Sequence, residues 1–141
     1  MCSADAYKRI MRIFFILLFI LVSCTQVYSS EKDYYCFSSG SKSVLLVPSE
    51  YPNINSIMYY PFMKKIELST TLRIEEVDMG DNAKPEIYRT VQEIIDNKVN
   101  GQYRFMSQGY ILYEAEYLNL KTKKTTVFNK INLDAKGINC I

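Results

Sequence analysis

The sequence contains no histidine and no tryptophan, and only five glycines, four prolines and four cysteines in 141 residues. Without histidine, Ser-His and Cys-His catalysis, imidazole proton shuttles and most zinc sites are excluded. The few glycines and prolines exclude a collagenous or low-complexity chain. No glycine-rich phosphate loop, zinc motif or nucleophile elbow occurs, so neither a cofactor nor a metal is expected. No internal repeat of fixed period is present. What remains, 48% hydrophobic, 23% charged and 13% aromatic, is the composition of one globular domain.

Residues 1–29 read as a targeting leader rather than as part of that domain. Lys8, Arg9 and Arg12 precede an unbroken apolar run of ten, Ile13 to Val22. A bilayer-spanning helix needs about 20 apolar residues, whereas a signal-peptide core needs about 7–15. Two cleavage readings stand. Leu21-Val22-Ser23-Cys24 matches the bacterial lipobox, in which Cys24 is lipidated and becomes the mature N-terminus. Val27-Tyr28-Ser29 also fits an ordinary signal peptidase site before Ser30, and translation from Met11 rather than Met1 would favour it. Lipidation at Cys24 is the preferred reading, with several acyl chains giving stable attachment. Thr25, where an Asp would retain the protein at the inner membrane of Gram-negative bacteria, resembles an outer-membrane sorting signal. Cleavage near Ser30 would instead leave a soluble periplasmic or secreted protein.

Without the leader, residues 30–141 carry fourteen basic and fourteen acidic residues. The apparent basicity belongs to the leader, and no nucleic-acid footprint is left. Cys36 and Cys140 are the two cysteines of this body. An even pair in an exported chain reads as a disulfide, closing a loop of about a hundred residues; the alternative is two buried free thiols.

The body alternates short strand patterns with turns. Tyr34–Ser38 and Ser43–Val47 flank the turn Ser39-Gly40-Ser41, and Ile57–Tyr60 follows between prolines. Ile66, Leu68, Thr70, Leu72 and Ile74 alternate with polar residues, which predicts one strand with a buried face. Pro85, with Ile87, Val91, Ile94 and Ile95 at helical spacing and Asn100-Gly101 as a stop, predicts a helix over about 85–99. Gln102–Met106, Tyr110–Leu120 and Thr125–Leu133 form a meander around Ser107-Gln108-Gly109 and Lys121–Lys124. The expected fold is α+β and mainly antiparallel, a six- or seven-stranded sheet or partial barrel with that one helix packed on it.

Chemistry-bearing residues are sparse. Glu114 and Glu116 fall on one face of a strand, a poor match to carboxylates placed on opposite sides of a glycosidic bond. They and Tyr110 would carry the alternative reading of a small exported hydrolase. Glu75, Glu76, Asp78 and Asp81 make an acidic stretch without EF-hand spacing. Ten tyrosines lie in residues 30–141, and tyrosine supplies rigid interface area with a polar tip. Tyr103, Tyr110, Tyr113 and Tyr117, with Lys121, Lys123 and Lys124 at a hairpin tip, are therefore the candidate partner-binding residues.

In layout the chain resembles the membrane-bound or periplasmic inhibitors of chicken-type lysozyme, which are small bacterial proteins and often lipoproteins. Tyr34-Tyr35-Cys36 stands where that family has Tyr-x-Cys near its mature start, and Asn139-Cys140 where it has its closing cysteine. Asn100-Gly101-Gln102-Tyr103 through Gly109-Tyr110-Ile111 is similar to its Ser-Gly-x-x-Tyr loop and the next strand. Asn100 replaces the Ser, Tyr103 falls one position early, and the later Trp-x-Lys-Gly element has no counterpart around Tyr113–Tyr117. The resemblance implies an antiparallel barrel and a Cys36–Cys140 bridge. It also implies a non-catalytic binding or inhibitor module, whose partner is a protein or envelope component such as lysozyme.

Overall fold

The computed structural model describes residues 30–141 and, before them, Lys8 alone. The expected leader apart from Lys8, with the expected lipobox and Cys24, therefore lies outside the described residues. Residues 30–141 contain ten strands and no helix. In chain order these are β1 (Lys32–Ser38), β2 (Val44–Pro48), β3 (Ser56–Tyr60), β4 (Lys64–Leu68), β5 (Arg73–Val77), β6 (Glu86–Ile95), β7 (Lys98–Gln108), β8 (Ile111–Asn119), β9 (Thr125–Lys130) and β10 (Ile138–Cys140). Antiparallel pairing runs β1-β2-β3-β4-β6-β7-β8-β9, and β9 returns to β1 through Phe37 opposite Lys130 and Ser38 opposite Asn129. Eight strands thus close into an antiparallel barrel. Strand β5 pairs with the first half of β6, and β10 runs parallel to β1.

The α+β expectation is corrected at residues 85–99. That segment is β6, a two-residue turn and the start of β7. Asp96 and Asn97 both take positive φ, 50° and 61°, which suits a tight hairpin between paired Ile95 and Lys98. The apolar residues do recur at helical intervals, but the structural period is two: Val91 and Glu93 are buried, and they share the inward row with Ile87 and Arg89. Charged residues in that row hid the alternation, while β-branched Ile87, Thr90, Val91, Ile94 and Ile95 favour the pleated strand.

The alternating segment from Ile66 to Ile74 is two strands rather than one. Leu68 is buried on β4; Leu72 and Ile74 are exposed, β5 having moved to pair Arg73 with Thr90. The Ser69 hydroxyl accepts the Gln92 N–H at the crossing.

The barrel interior is filled by Tyr35, Phe37, Leu45, Val47, Tyr51, Ile57, Leu68, Val91, Tyr103, Phe105, Leu112, Ala115 and Phe128. A second, smaller core lies outside the wall. Tyr34, Cys36, Val44 and Leu46 point outward from β1 and β2, yet they are buried under Ile131, Leu133, Ala135 and Ile138 of the C-terminal segment. These two strands are therefore apolar on both faces, and their sequences read as continuous apolar runs. The Cys36–Cys140 disulfide, joining residues 104 positions apart, ties that segment to the wall.

Candidate binding surface

One end of the barrel is formed by the β2–β3 connection, the loop before β6 and the β7–β8 hairpin. The hairpin turns through Gly109 and Tyr110, with Gln108 paired to Ile111. Gly109 has φ 63°, the left-handed conformation that a two-residue turn of this kind needs at its first central position. Tyr110 is consequently held at the tip, 91% exposed, with Ile111 and Tyr113 partly exposed beside it. The tip is anchored from below: the Tyr35 hydroxyl, rising from the interior, donates to the Tyr110 carbonyl at 3.2 Å. Gln108 Nε2 donates to the Lys84 carbonyl at 2.7 Å, joining the hairpin to the loop before β6. A bulge in the β7–β8 register at Met106/Ser107 leaves Tyr113 as the extra residue and re-aims it to the rim.

Between these loops lies a pocket of about 380 Å³ walled by Tyr51, Pro52, Lys84, Pro85, Ile87, Arg89, Ser107, Gly109 and Tyr110. Arg89 Nη1 donates to Ser107 Oγ at 3.4 Å, and its guanidinium sits 5.9 Å from the Tyr51 ring centre. The Tyr51 hydroxyl is buried and has no hydrogen-bond partner among the described residues.

The other candidate residues are placed elsewhere. Lys121, Lys123 and Lys124 are exposed in the β8–β9 turn, at the opposite end of β8 from Tyr110. Asn119 Oδ1 accepts the N–H groups of Lys121 and Thr122 there. Tyr103 and Tyr117 do come together, at 4.8 Å between ring centres, but inside the barrel. Tyr103 is 1% exposed, and its hydroxyl shares a hydrogen bond of 2.9 Å with that of Tyr59. The Tyr117 hydroxyl donates to Glu93 Oε2 at 2.5 Å. These two tyrosines build the interior, leaving Tyr110 and Tyr113 as the surface members of the set.

Burial raises the pKa of Tyr59, Tyr103 and Tyr117 above the ordinary tyrosine value, and the Glu93 carboxyl raises that of Tyr117 further. A raised folded-state pKa means stability that is complete below the unfolded pKa of about 10 and is lost as pH climbs above it. Alkaline titration should therefore show these hydroxyls ionising only as the barrel opens. The late rise in tyrosinate absorbance would coincide with loss of near-ultraviolet dichroism. Ionisation of every tyrosine near pH 10 with the dichroism intact would contradict this packing.

Glu114 and Glu116 share the outer face of β8. Arg104 Nη1 lies 3.7 Å from Glu116, its Nε lies 3.6 Å from Glu75, and Arg73 bonds Glu75 as well. The Arg73 hydrogen bond is the main reason that the Glu75 carboxyl is held below its usual pKa. Arg104 also stacks 3.9 Å over the Tyr88 ring. The cluster edges a groove of about 410 Å³ that includes Leu72 and Leu118. Of the residues in the hydrolase reading, Glu116 is paired with Arg104 and lines this groove, whereas Glu114 and Tyr110 do not line it. Glu76, Asp78 and Asp81 are exposed along β5 and the loop after it. Among the described residues no group of three metal-ligating side chains forms a cluster.

Sequence reasoning missed Tyr51, Lys84, Arg89 and Ser107. They stand far apart in the chain, and for Arg89 the only available signal was the strand period of β6, which the helical spacing obscured. Comparison with family models, with curated proteins and with solved structures found no match to this chain.

Proposed function

We propose that this is a small exported protein of the bacterial envelope, lipid-anchored at Cys24, that acts as a non-catalytic binding or inhibitor module. The observation that carries the reading is Tyr110, 91% exposed at the tip of a hairpin bonded to the barrel interior, with Ile111 and Tyr113 flanking it. An exposed aromatic held by a rigid scaffold offers contact area at low entropic cost, which is how recognition surfaces gain affinity. A closed barrel with a disulfide joining β1 to β10 suits an oxidising compartment outside the cytoplasm. It also agrees with the layout of the lysozyme-inhibitor resemblance. Chicken-type lysozyme is accordingly the first partner to test.

The protein should be purified from membranes of the bacterium that expresses it, and its intact mass should match a triacylated chain beginning at Cys24. Its affinity for lysozyme and its inhibition of cell-wall lysis are then measured with and without the double substitution Tyr110→Ala and Tyr113→Ala. The pair should weaken binding at least tenfold, consistent with interface tyrosines worth about 1–2 kcal/mol or more, and leave the melting temperature unchanged. Unaltered binding by the double variant would remove this end of the barrel as the docking surface. No interaction with lysozyme at all would turn the search to peptidoglycan and other envelope proteins.

A further inference from the structure

We infer that the pocket beneath Tyr110 binds a small amphipathic carboxylate, with Arg89 holding the acid group and the apolar wall holding a short acyl chain. The inference rests on reading this end of the barrel as the recognition surface and names a ligand for it. Arg89 is half-buried and belongs to the inward row of β6, where an apolar side chain would be expected. Among the described residues no carboxylate lies within ion-pair distance of it. Its one side-chain hydrogen bond among the described residues goes to the hydroxyl of Ser107, a residue only 2% exposed. A guanidinium withdrawn from water is normally paired, and its planar fork matches a carboxylate through two parallel bonds.

The surroundings say what else the ligand carries. Lys84 approaches from the loop, its Cδ and Nζ close enough to meet a Cβ placed on Gly109 at 3.1–3.2 Å. A second cation thus lines the same pocket as Arg89, with no acidic partner among the described residues. Pro52, Ile87 and Tyr110 make the remaining wall apolar. The floor is closed, because Tyr51 packs edge-on against Phe105 at 5.7 Å and the barrel beyond is filled with aromatic rings. About 380 Å³ is near the lower end of the range of roughly 300–1,000 Å³ that small ligands occupy. The mouth of a closed barrel is a common place for such a site. A short chain fits this space and a long one does not. The buried Tyr51 hydroxyl, without a partner among the described residues, adds polar capacity at the inner wall.

The test is calorimetric titration of the full protein, as processed by the expressing cell, with octanoate, and with 1-octanol as the uncharged chain of equal length. One saturable site for octanoate is expected, with octanol at least tenfold weaker. Arg89→Gln should weaken octanoate at least tenfold and Arg89→Lys less. Lys84→Gln, on an exposed loop where folding is not at stake, should weaken it severalfold. Octanol binding as tightly as octanoate, no saturable site, or octanoate affinity unchanged in Lys84→Gln and in folded Arg89→Gln would each overturn the inference. No macromolecular partner enters this titration. Its failure is therefore distinct from failure of the lysozyme experiment, and either can occur without the other.

Discussion

Gly101→Ala should destabilise the barrel by about 3 kcal/mol, the upper part of what overpacking a close-packed interior costs. A Cβ on Gly101 would lie 2.4 Å from Cε2 and the hydroxyl oxygen of Tyr117 and 2.5 Å from its Cζ. The clash arises from strand register. Gly101 on β7 stands between Glu93 of β6 and Asn119 of β8, and Tyr117, two residues before Asn119, lays its ring diagonally across the glycine. That ring is partly buried and held at two points. Its hydroxyl is hydrogen-bonded to buried Glu93, and its face packs on Tyr103. Moving it would strip a buried carboxyl of its donor, a loss of about 1–3 kcal/mol in itself. Thermal unfolding of the variant should fall by roughly 10–20 °C for a domain of this size. A double-mutant cycle identifies the cause. In a Tyr117→Ala background the added methyl meets no ring, so its cost should drop below about 1 kcal/mol, leaving a large coupling energy. Equal cost in both backgrounds would mean that the glycine serves the backbone and not the aromatic ring.

Strand β6, which supplies Glu93, shows where reading the sequence stops, and strands β1 to β3 show where it succeeds. Tyr34–Ser38, Ser43–Val47 and Ile57–Tyr60 were legible as strands because turn residues and prolines bound short apolar runs. The Lys121–Lys124 turn was legible because charge interrupts two long strand patterns. β6 was not, since its inward row carries Arg89 and Glu93, and only the closed barrel explains why charges stand there. Glu93 receives the Tyr117 hydroxyl, and Arg89 faces the pocket at the mouth. Tyrosine richness did single out Tyr110 and Tyr113, yet it gave Tyr103 the same weight. Alternation on β7, which puts Tyr103 in the row of buried Phe105 and Ser107, separates them once the strand is known. The pocket itself was illegible, because Arg89 and Ser107 meet through the β6–β7 pairing, which the helical reading excluded, and Tyr51 joins them from the distant β2–β3 connection.

Removing the disulfide by Cys36→Ala with Cys140→Ala should cost about 3–5 kcal/mol. A cross-link closing a loop of about 100 residues restricts the unfolded chain by about 4.7 kcal/mol in the entropy model, with strain and residual structure lowering the measured value. The loop here joins positions 104 residues apart. The loss should also be unequal across the molecule, because the bridge does not cross the main interior. It pins the C-terminal segment over the outward faces of β1 and β2, where Ile138 covers a small core containing Tyr34, Val44 and Leu46. Strand β10 has only three residues and pairs with β1 alone, too little to hold that cover without the covalent tie. Hydrogen exchange in the double variant should therefore rise first in β10 and at the Ile131 and Ile141 amides, which bond to the Cys36 and Tyr34 carbonyls. Amides of β7, paired on both sides within the barrel wall, should remain among the slowest. Uniform acceleration throughout would mean that the outer core and the barrel unfold as one unit. Local loosening would show instead that the barrel is self-sufficient and that the bridge protects an apolar strip on β1 and β2 from exposure. Such a strip, once uncovered, is a site for aggregation, so the double variant should also precipitate at protein concentrations at which the parent stays clear.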